Sequence, residues 1–357
     1  MSKILVLTNH SYMLYRFRLA LLQELQRQHE VVLSMPFVGH ENDFAAAGFR
    51  CVETAVDRRG VNPARDLQLL RAYLSLLREE KPDLVITYSI KPNIYGGLAC
   101  RMQGIPYVAN VQGLGTAFQR KGLATFVTAM YKAALRKAKT VFFENQANAE
   151  IFVSRHIIPR RKVTVLAGAG IDLQQYPVAE YPDNDPVRFL FLGRIMMEKG
   201  MDELIYAAHN LHEEGIPFVL DFVGFYEDAY KDQVEALCGQ GIARYHGFQP
   251  DPRPFYRQAD CVVLPSHHEG MSNVLLEAAA MGRPLITSSI PGCREAVEDG
   301  VSGLLCRVKD GQDLYEKMKI MAQMPPRERR AMGLAGRIRM EQHFDKMAVV
   351  EATIQKL

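Results

Sequence analysis

Short apolar runs alternate with longer amphipathic stretches along the first half of the chain. Helical periodicity covers about residues 15–28, 41–47 and 64–80. Each of these stretches is preceded and followed by an apolar run, and this alternation is typical of parallel β-α-β units. The predicted strands are Lys3–Leu7, Glu30–Ser34, Arg50–Thr54, Leu84–Tyr88, Pro106–Asn110 and Thr140–Phe143.

The pattern breaks in a turn-rich stretch at residues 168–186 and then starts again. The second series of predicted strands is Arg188–Leu192, Phe218–Val223, Ala243–Tyr245, Cys261–Leu264, Pro284–Thr287 and Gly303–Leu305. The sequence therefore predicts an α/β protein with two doubly wound, Rossmann-like domains. We place them at residues 1–178 and 187–338, joined by a linker at 179–186, with a C-terminal helix at 339–357 that packs back on the N-terminal domain.

The length of 357 residues exceeds what one hydrophobic core normally serves, which agrees with two domains. Open parallel sheets bind ligands beyond the carboxyl ends of their strands. Two such domains facing each other across a cleft would bring these edges together, so we expect the active site between them.

Composition limits the classes of binding partner and the cellular compartment that we expect for this protein. A formal net charge of +3 does not indicate nucleic acid as a partner. The six cysteines are scattered without a metal-binding spacing, so we expect reduced thiols in the core. The first apolar run is too short for a signal peptide, and no run has transmembrane length. We expect a cytoplasmic protein, either soluble or peripherally bound to the inner membrane.

The segment 265–280, PSHHEGMSNVLLEAAA, places a strand end, a polar loop and a helix start in succession. Ser272 is a candidate N-cap, and the backbone N–H groups of Asn273–Leu275 would lack intrahelical partners, which favours binding of a diphosphate. Glu269 and Glu277 are separated by seven residues. The alternative is that Glu269 is only a loop charge and Glu277 a solvated helix residue.

Arg194 and Lys199 lie in LGRIMMEKG, directly after the first strand of the second series. Two cations at a ligand-binding edge can hold a diphosphate and neutralise the charge that grows on it as a leaving group. Taken singly, an Arg or Lys after a strand is more often a solvated surface residue, but both lie at the same sheet edge as the helix start of the other loop.

These motifs carry a family resemblance. LGR followed by Lys199, together with the E-x7-E pair, resembles the retaining glycosyltransferases of family four, which have the GT-B fold. GAGIDLQQYP resembles the segment that leads into their linker. YSIKPNIYGG, QGLGTAF, EGMSNVLLEAAA and PGCREAVEDG resemble bacterial enzymes that extend undecaprenyl-diphosphate-linked sugars, including the N-acetylgalactosaminyltransferase type of bacterial N-glycosylation.

The resemblance implies a role for each matching residue. Arg194 and Lys199 would bind the donor diphosphate, Glu277 the ribose and Glu269 the transferred sugar, with Glu269, Arg194 and Lys199 forming the catalytic set. The loop and first helical turn would complete the donor site through Gly270, Met271, Ser272, Asn273, Val274 and Leu275. The implied donor is a UDP-sugar, such as UDP-N-acetylgalactosamine, bound by the C-terminal domain, and the implied acceptor is a polyprenyl-diphosphate-linked saccharide, bound by the N-terminal domain.

The N-terminal half departs from this family at two places. NHSYMLYRFR replaces a glycine-rich turn, and Gln112 in NVQGLG replaces a histidine, so a general acid or base is lacking there.

Lys91 in KPNIYGG is a candidate for binding an acceptor diphosphate. Alternatively, this segment serves only helix packing through its two glycines. The candidates for the acceptor or sugar side are His10, Tyr15, Arg16, Arg18, Lys91, Gln112 and Gly113.

No cofactor or metal is expected. Asp183-Asn184-Asp185 has the form of a metal-binding D-x-D motif but lies among prolines, which favours a turn. Adjacent His267 and His268 would point to opposite faces of an extended segment.

Residues 118–139 form a basic amphipathic stretch, which either contacts an anionic membrane or is an ordinary helix with a basic outer face. Two other functions remain open. One is a sugar-nucleotide 2-epimerase of the same fold, and the other is a non-catalytic nucleotide-sugar-binding protein.

Overall fold

The protein consists of two compact units in this computed structural model. The first comprises Met1–Ala169 with Met347–Leu357, and the second comprises Gly170–Lys346. The structure describes residues 1–57, 62–114, 118 and 121–357, and only the backbone of residue 121. The predicted linker at 179–186 lies inside the second unit, because the boundary between the units falls earlier in the chain.

The first unit contains a seven-stranded sheet in the order β3-β2-β1-β4-β5-β6-β7. Every pairing in it is parallel. The chain starts at the centre, runs to one edge and returns to the other side of β1, so the switch point lies between β1 and β4. The strands are β1 Lys3–Leu7, β2 Glu30–Met35, β3 Arg50–Glu53, β4 Leu84–Tyr88, β5 Tyr107–Val111, β6 Val141–Phe143 and β7 Val163–Val165.

Helices cover both faces of this sheet. Along β1, Leu5 and Leu7 join one core cluster, whereas Ile4 and Val6 join the other, because successive side chains of a strand point to opposite faces. The helices are α1 Ser11–Gln26, α2 Glu41–Ala46, α3 Pro63–Glu80, α4 Gly97–Gln103, α5 Lys121–Leu135 and α6 Gln146–Ser154.

The second unit repeats this architecture with a six-stranded parallel sheet in the order β10-β9-β8-β11-β12-β13. Its switch point lies between β8 and β11. The strands are β8 Val187–Leu192, β9 Phe218–Val223, β10 Ala243–Tyr245, β11 Cys261–Leu264, β12 Leu285–Ser288 and β13 Gly303–Cys306. The helices are α7 Met201–Glu213, α8 Lys231–Gly239, α9 Arg253–Gln258, α10 Asn273–Ala280, α11 Gly311–Gln323 and α12 Pro326–His343. The predicted class of two doubly wound parallel sheets is confirmed.

The C-terminal segment contains two helices where the sequence predicted one. The predicted domain boundary at residue 338 falls inside α12, which belongs to the second unit, and α13 follows at Lys346–Ile354. Between the two helices the backbone bonds to Ile171, whose N–H donates to the Phe344 carbonyl at 2.7 Å. Val349 and Val350 of α13 are buried in the core of the first unit.

Candidate active site

In the second unit the loops after β8 and β11 meet at the switch point of the sheet. Gly200, at the end of the loop after β8, has φ +76°, and a Cβ on it would lie 2.1 Å from the carbonyl oxygen of Pro265. The His267 N–H donates to the Glu198 carbonyl at 2.9 Å. Only glycine permits this approach, which brings the Lys199 segment against the loop that carries Glu269.

Lys199 and Glu269 form an ion pair there. The Lys199 Nζ contacts Oε1 of Glu269, and the Ser266 hydroxyl donates to the same oxygen at 2.9 Å. The two charged side chains are only 18% and 13% exposed. Limited contact with water strengthens such a charge-assisted pair. Glu269 is therefore more than the isolated loop charge of the alternative interpretation.

The loop after Glu269 leads into the first turn of α10. Ser272 occupies the predicted N-cap position with extended backbone, but within the described chain its side chain makes no capping hydrogen bond. Its N–H donates instead to the Gly292 carbonyl at 2.9 Å. The helical ladder starts with the Leu276 N–H, which donates to the Ser272 carbonyl at 3.2 Å. The amides of Asn273–Leu275 precede that bond, as an anion site at a helix start requires.

Side-chain burial differs along this loop and turn. Met271, Ser272 and Leu275 are buried, whereas Gly270, Asn273 and Val274 are half-buried. The Leu275 side chain belongs to the core of the second unit, so only its backbone amide remains as a group for ligand binding.

Glu277 lies on α10 with 5% of its surface exposed, and the Tyr256 hydroxyl donates to its Oε2 at 2.9 Å. The interpretation of Glu277 as a solvated helix residue is therefore wrong. A buried carboxylate needs hydrogen-bond donors, which the hydroxyl of Tyr256 supplies on one oxygen.

Arg194 is the more exposed of the two predicted cations. Its Nη1 donates to Oε2 of Glu227 at 2.6 Å, and its side chain is 43% exposed. Glu227 lies after β9, next to β8 in the sheet, and the Ile195 N–H donates to the Phe225 carbonyl at 2.9 Å. The β8 loop thus presents two cations, each paired with a carboxylate from a neighbouring loop.

The side chains of the two histidines and of the D-x-D segment make contacts other than those of the Lys199–Glu269 pair. His267 is buried with Nε2 3.1 Å from both carboxylate oxygens of Glu203, whereas His268 is exposed. The Asn184 amide donates to Asp260 Oδ2 at 2.8 Å, so this segment is bonded to a neighbouring loop. Within residues 1–57, 62–114, 118 and 121–357, no cluster of three or more metal-ligating side chains occurs.

In the first unit, several candidates follow three adjacent strands. His10 follows β1 and precedes α1, Lys91 follows β4, and Gln112 and Gly113 follow β5 directly. The Gln112 amide donates to the Met13 sulfur at 3.2 Å. These residues therefore share the carboxyl edge of the first sheet, as the sequence predicts.

The three candidates on α1 differ in their surroundings. Tyr15 stacks on His40 with ring centroids 4.4 Å apart, and Arg16 is half-buried. Arg18 is 4% exposed, and its guanidinium donates to Glu144 Oε1 at 2.7 Å and to the Gly168 carbonyl at 3.3 Å. Arg18 thus contacts groups in the interior of the unit.

Lys91 pairs with Asp66 of α3, with Nζ and Oδ1 2.8 Å apart. It precedes a π-helical turn at Pro92–Gly96. A Cβ on Gly96 would lie 2.7 Å from the Leu7 side chain, and one on Gly97 would lie 3.2 Å from the Ala134 carbonyl. The prediction that these two glycines permit close helix packing is confirmed.

Comparison with known proteins decides the class. Residues 16–175 match the model "Glycosyltransferase Family 4", and residues 186–323 match "Glycosyl transferases group 1". The chain is 27% identical over 328 residues to N,N'-diacetylbacillosaminyl-diphospho-undecaprenol alpha-1,3-N-acetylgalactosaminyltransferase of Campylobacter jejuni, covering 86% of each chain. The protein is a glycosyltransferase. The resemblance drawn from its motifs is confirmed.

A second relative is UDP-Gal:alpha-D-GlcNAc-diphosphoundecaprenol alpha-1,3-galactosyltransferase of Escherichia coli, which is 26% identical over 273 residues, covering 71% of this glycosyltransferase and 69% of the relative. Among solved structures, Anabaena HepE in complex with UDP and glucose superposes with a TM-score of 0.80 at 17% identity, covering 99% of each chain. This likeness shows the fold, and the predicted GT-B class is confirmed.

Four contributors to the site of this glycosyltransferase were not predicted. They are Glu227, Tyr256, Ser266 and Gly292. The sequence could have indicated Glu227, because the segment GFYED directly follows β9, and β9 neighbours β8 in the sheet. It could also have indicated Ser266, which lies two residues after the end of β11. Nothing in the sequence indicates Tyr256, since its contact with Glu277 joins two helices that only the folded chain brings together.

The basic stretch contains α5, which carries Phe126, 50% exposed, and an exposed Lys132. Arg136, directly after the helix, is also exposed. Arg120 and the side chain of Lys121 lie outside the described residues. In the described parts of the chain, the helices include none with the length and hydropathy needed to cross a bilayer.

Proposed function

We propose that this glycosyltransferase moves a sugar from a UDP-sugar to a polyprenyl-diphosphate-linked saccharide and retains the anomeric configuration. The observation that supports the donor site is the half-buried Lys199–Glu269 pair at the loop that leads to the first turn of α10, whose N-cap Ser272 makes no side-chain capping hydrogen bond within the described chain. The names of the Campylobacter and Escherichia relatives support a diphosphoundecaprenol-linked acceptor, and the first name supports N-acetylgalactosamine as the transferred sugar.

The donor diphosphate is proposed to lie at the start of α10, where amides and two cations supply positive charge. Arg194 and Lys199 would each exchange their present carboxylate contact for phosphate oxygens, which match the forked guanidinium and the compact ammonium. Glu277, oriented by Tyr256, would accept hydrogen bonds from the ribose hydroxyls. Because these cations and amides can stabilise the leaving group, the reaction is proposed to need no metal ion.

The proposed chemical step takes place on one face of the sugar. The bond between the anomeric carbon and the diphosphate oxygen breaks, the acceptor hydroxyl oxygen bonds to the same face, and its proton passes to the departing phosphate oxygen. Glu269 would orient the sugar and stay non-covalent, because its Oε1 already receives Lys199 and Ser266. The first unit would bind the acceptor through the candidates at the ends of β1, β4 and β5.

A membrane contact is also proposed, since a polyprenyl acceptor resides in a bilayer. The outer face of α5 combines an exposed Phe126 with an exposed Lys132, and the exposed Arg136 follows directly after the helix, a combination typical of interfacial helices. The protein would then bind peripherally to the cytoplasmic face of the inner membrane. Flotation of a Phe126→Ser variant with anionic vesicles tests this contact, with Phe225→Ser, equally exposed on the second unit, as the matched control.

The transfer reaction is tested by incubating the protein in EDTA with a panel of UDP- and GDP-sugars and a synthetic polyprenyl-diphosphate monosaccharide. We expect transfer from a UDP-N-acetylhexosamine and a product whose anomeric proton signal shows retention. An inverted product contradicts the mechanism, and loss of transfer in EDTA contradicts metal independence. Release or isomerisation of UDP-sugar without acceptor favours the epimerase.

A further inference from the structure

A surface cavity of about 300 Å³ lies in the first unit, outside all the candidate site residues. Its walls come from the end of α5 and from the residues before β7. These segments precede β6 and β7 in the chain, so the cavity lies at the amino edge of the sheet. His10, Lys91 and Gln112 follow β1, β4 and β5 at the opposite, carboxyl edge. The lining residues are Lys132, Leu135, Arg136, His156, Ile157, Pro159, Arg161 and Lys162.

The polar part of this lining is entirely cationic or imidazole. Four Lys and Arg side chains and one histidine converge, and the remaining lining residues, all described, are apolar, so no carboxylate is among them. The neighbouring Glu150 does not compensate the cavity, because its two oxygens accept hydrogen bonds from Arg160 at 2.8 and 2.6 Å. The cavity therefore concentrates positive charge that its own walls leave unbalanced.

One of these cations, Lys162, is fixed by a hydrogen bond. Its Nζ donates to the carbonyl oxygen of Arg136 at 2.8 Å, which fixes the ammonium at the cavity wall. Burial, and in second place the charge of Arg161, lower the pKa of Lys162. A bound anion would offset both effects, because it replaces lost hydration and screens the like charges from each other.

The size and shape of the cavity restrict the ligand. About 300 Å³ is at the lower end of small-molecule sites, so a phosphate or diphosphate group fits and a complete nucleotide sugar does not. Arg136 and Arg161 offer planar donor forks that match phosphate oxygens, and the lysines add point charges. We propose that this cavity binds a phosphate-bearing anion, presented either by a soluble diphosphate or by an anionic phospholipid headgroup.

The test uses the full-length protein and two probes. Isothermal titration with sodium pyrophosphate measures the soluble anion, and co-sedimentation with vesicles of phosphatidylglycerol and phosphatidylcholine measures the headgroup. For whichever of the two probes the unmodified protein binds, Arg161→Ser should weaken binding about tenfold, as expected for a lost charge-assisted contact. Lys137→Ser is the matched control, because it removes the same charge from an exposed neighbour that does not line the cavity.

The outcomes distinguish a soluble diphosphate from a phospholipid headgroup as the ligand, and they distinguish either from the proposed membrane contact of α5. Pyrophosphate binding that Arg161→Ser weakens identifies a soluble ligand, and an effect on phosphatidylglycerol vesicles alone identifies a headgroup. Phe126→Ser should leave pyrophosphate binding unchanged. Equal effects of Arg161→Ser and Lys137→Ser in both arms, or no binding of either probe by the unmodified protein, would overturn the proposal. Neither probe requires sugar transfer, so this result is independent of the proposed reaction.

Discussion

At the scale of single residues, the candidate donor site consists of cations already paired with carboxylates. Lys199 pairs with Glu269, and Arg194 pairs with Glu227. These pairs balance two positive charges on the loop after β8. Lys199 is half-buried, where its charge acts more strongly than in water, whereas Arg194 is exposed.

We expect Lys199→Ala to lower kcat of sugar transfer about 100-fold to 1000-fold, because it removes one of the two positive groups proposed to stabilise the leaving diphosphate. Steady-state transfer assays measure this, and Lys231→Ala, an exposed lysine of α8, is the control. An unchanged kcat in Lys199→Ala would contradict the role proposed for this ammonium.

Glu269→Ala distinguishes an orienting carboxylate from a nucleophile. We expect activity to fall at least about 100-fold, and we expect added azide to restore none of it, since in the proposed mechanism no covalent sugar intermediate forms on this residue. Mass spectrometry of the products would detect a glycosyl azide. Its appearance would show that Glu269 attacks the anomeric carbon.

Tyr256→Phe removes the hydroxyl that donates to Glu277 and leaves the ring in place. Loss of one hydrogen bond of about 1 kcal/mol should raise KM for the donor roughly fivefold while kcat changes little. Initial rates at varied donor concentration provide the measurement. A fall in kcat with unchanged KM would place Tyr256 in the chemical step and not in donor binding.

At the scale of elements, the site depends on loops that pack against each other at the carboxyl edge of the second sheet. Gly200 lets the loop after β8 contact the end of β11, and Gly292 has φ +87° with a position for Cβ 2.5 Å from the Gly270 carbonyl. These contacts fix the two loops on either side of the switch point. Rigid sheet edges thus position side chains that lie on irregular backbone.

Gly200→Ala tests this packing. Its left-handed backbone costs about 1 kcal/mol for alanine, and the clash with Pro265 adds to it, so we expect a loss of more than 2 kcal/mol in the free energy of unfolding. Gly215→Ala is a matched control with φ +70° and nothing within 4 Å of the added Cβ. Urea unfolding measures both, and equal losses would contradict the clash.

At the scale of the whole molecule, two separate cores stabilise the protein without covalent links. All six cysteines are free, as predicted, and four of them are buried. Each unit covers both faces of its sheet with helices, and α13 returns to the core of the first unit. This is the arrangement expected of a chain long enough to bury two cores.

Thiol reactivity reports on these cores. Burial raises the pKa of Cys100 and of Cys306 to about 12, and it also raises the pKa of the half-buried Cys51 and Cys238. Because the thiolate is the reactive form, alkylation of the native protein at pH 8 should be slow and should accelerate as the pH rises. Peptide mass spectrometry after iodoacetamide treatment should find the two half-buried cysteines modified first. Equal modification of Cys100 would indicate an open core.

The sequence by itself determined the order of the parallel units, most strand positions and the placement of Arg194, Lys199 and the E-x7-E segment after strands of the second sheet, because periodicity and motif spacing are local properties of the chain. Strand β7 escaped prediction, since its three residues are only half-buried or exposed. Tertiary structure alone decided the unit boundary at Ala169, the interior ion pair of Arg18 and the contact of Tyr256 with Glu277. Each of these depends on groups far apart in the chain, and such contacts follow only from how helices and sheets pack.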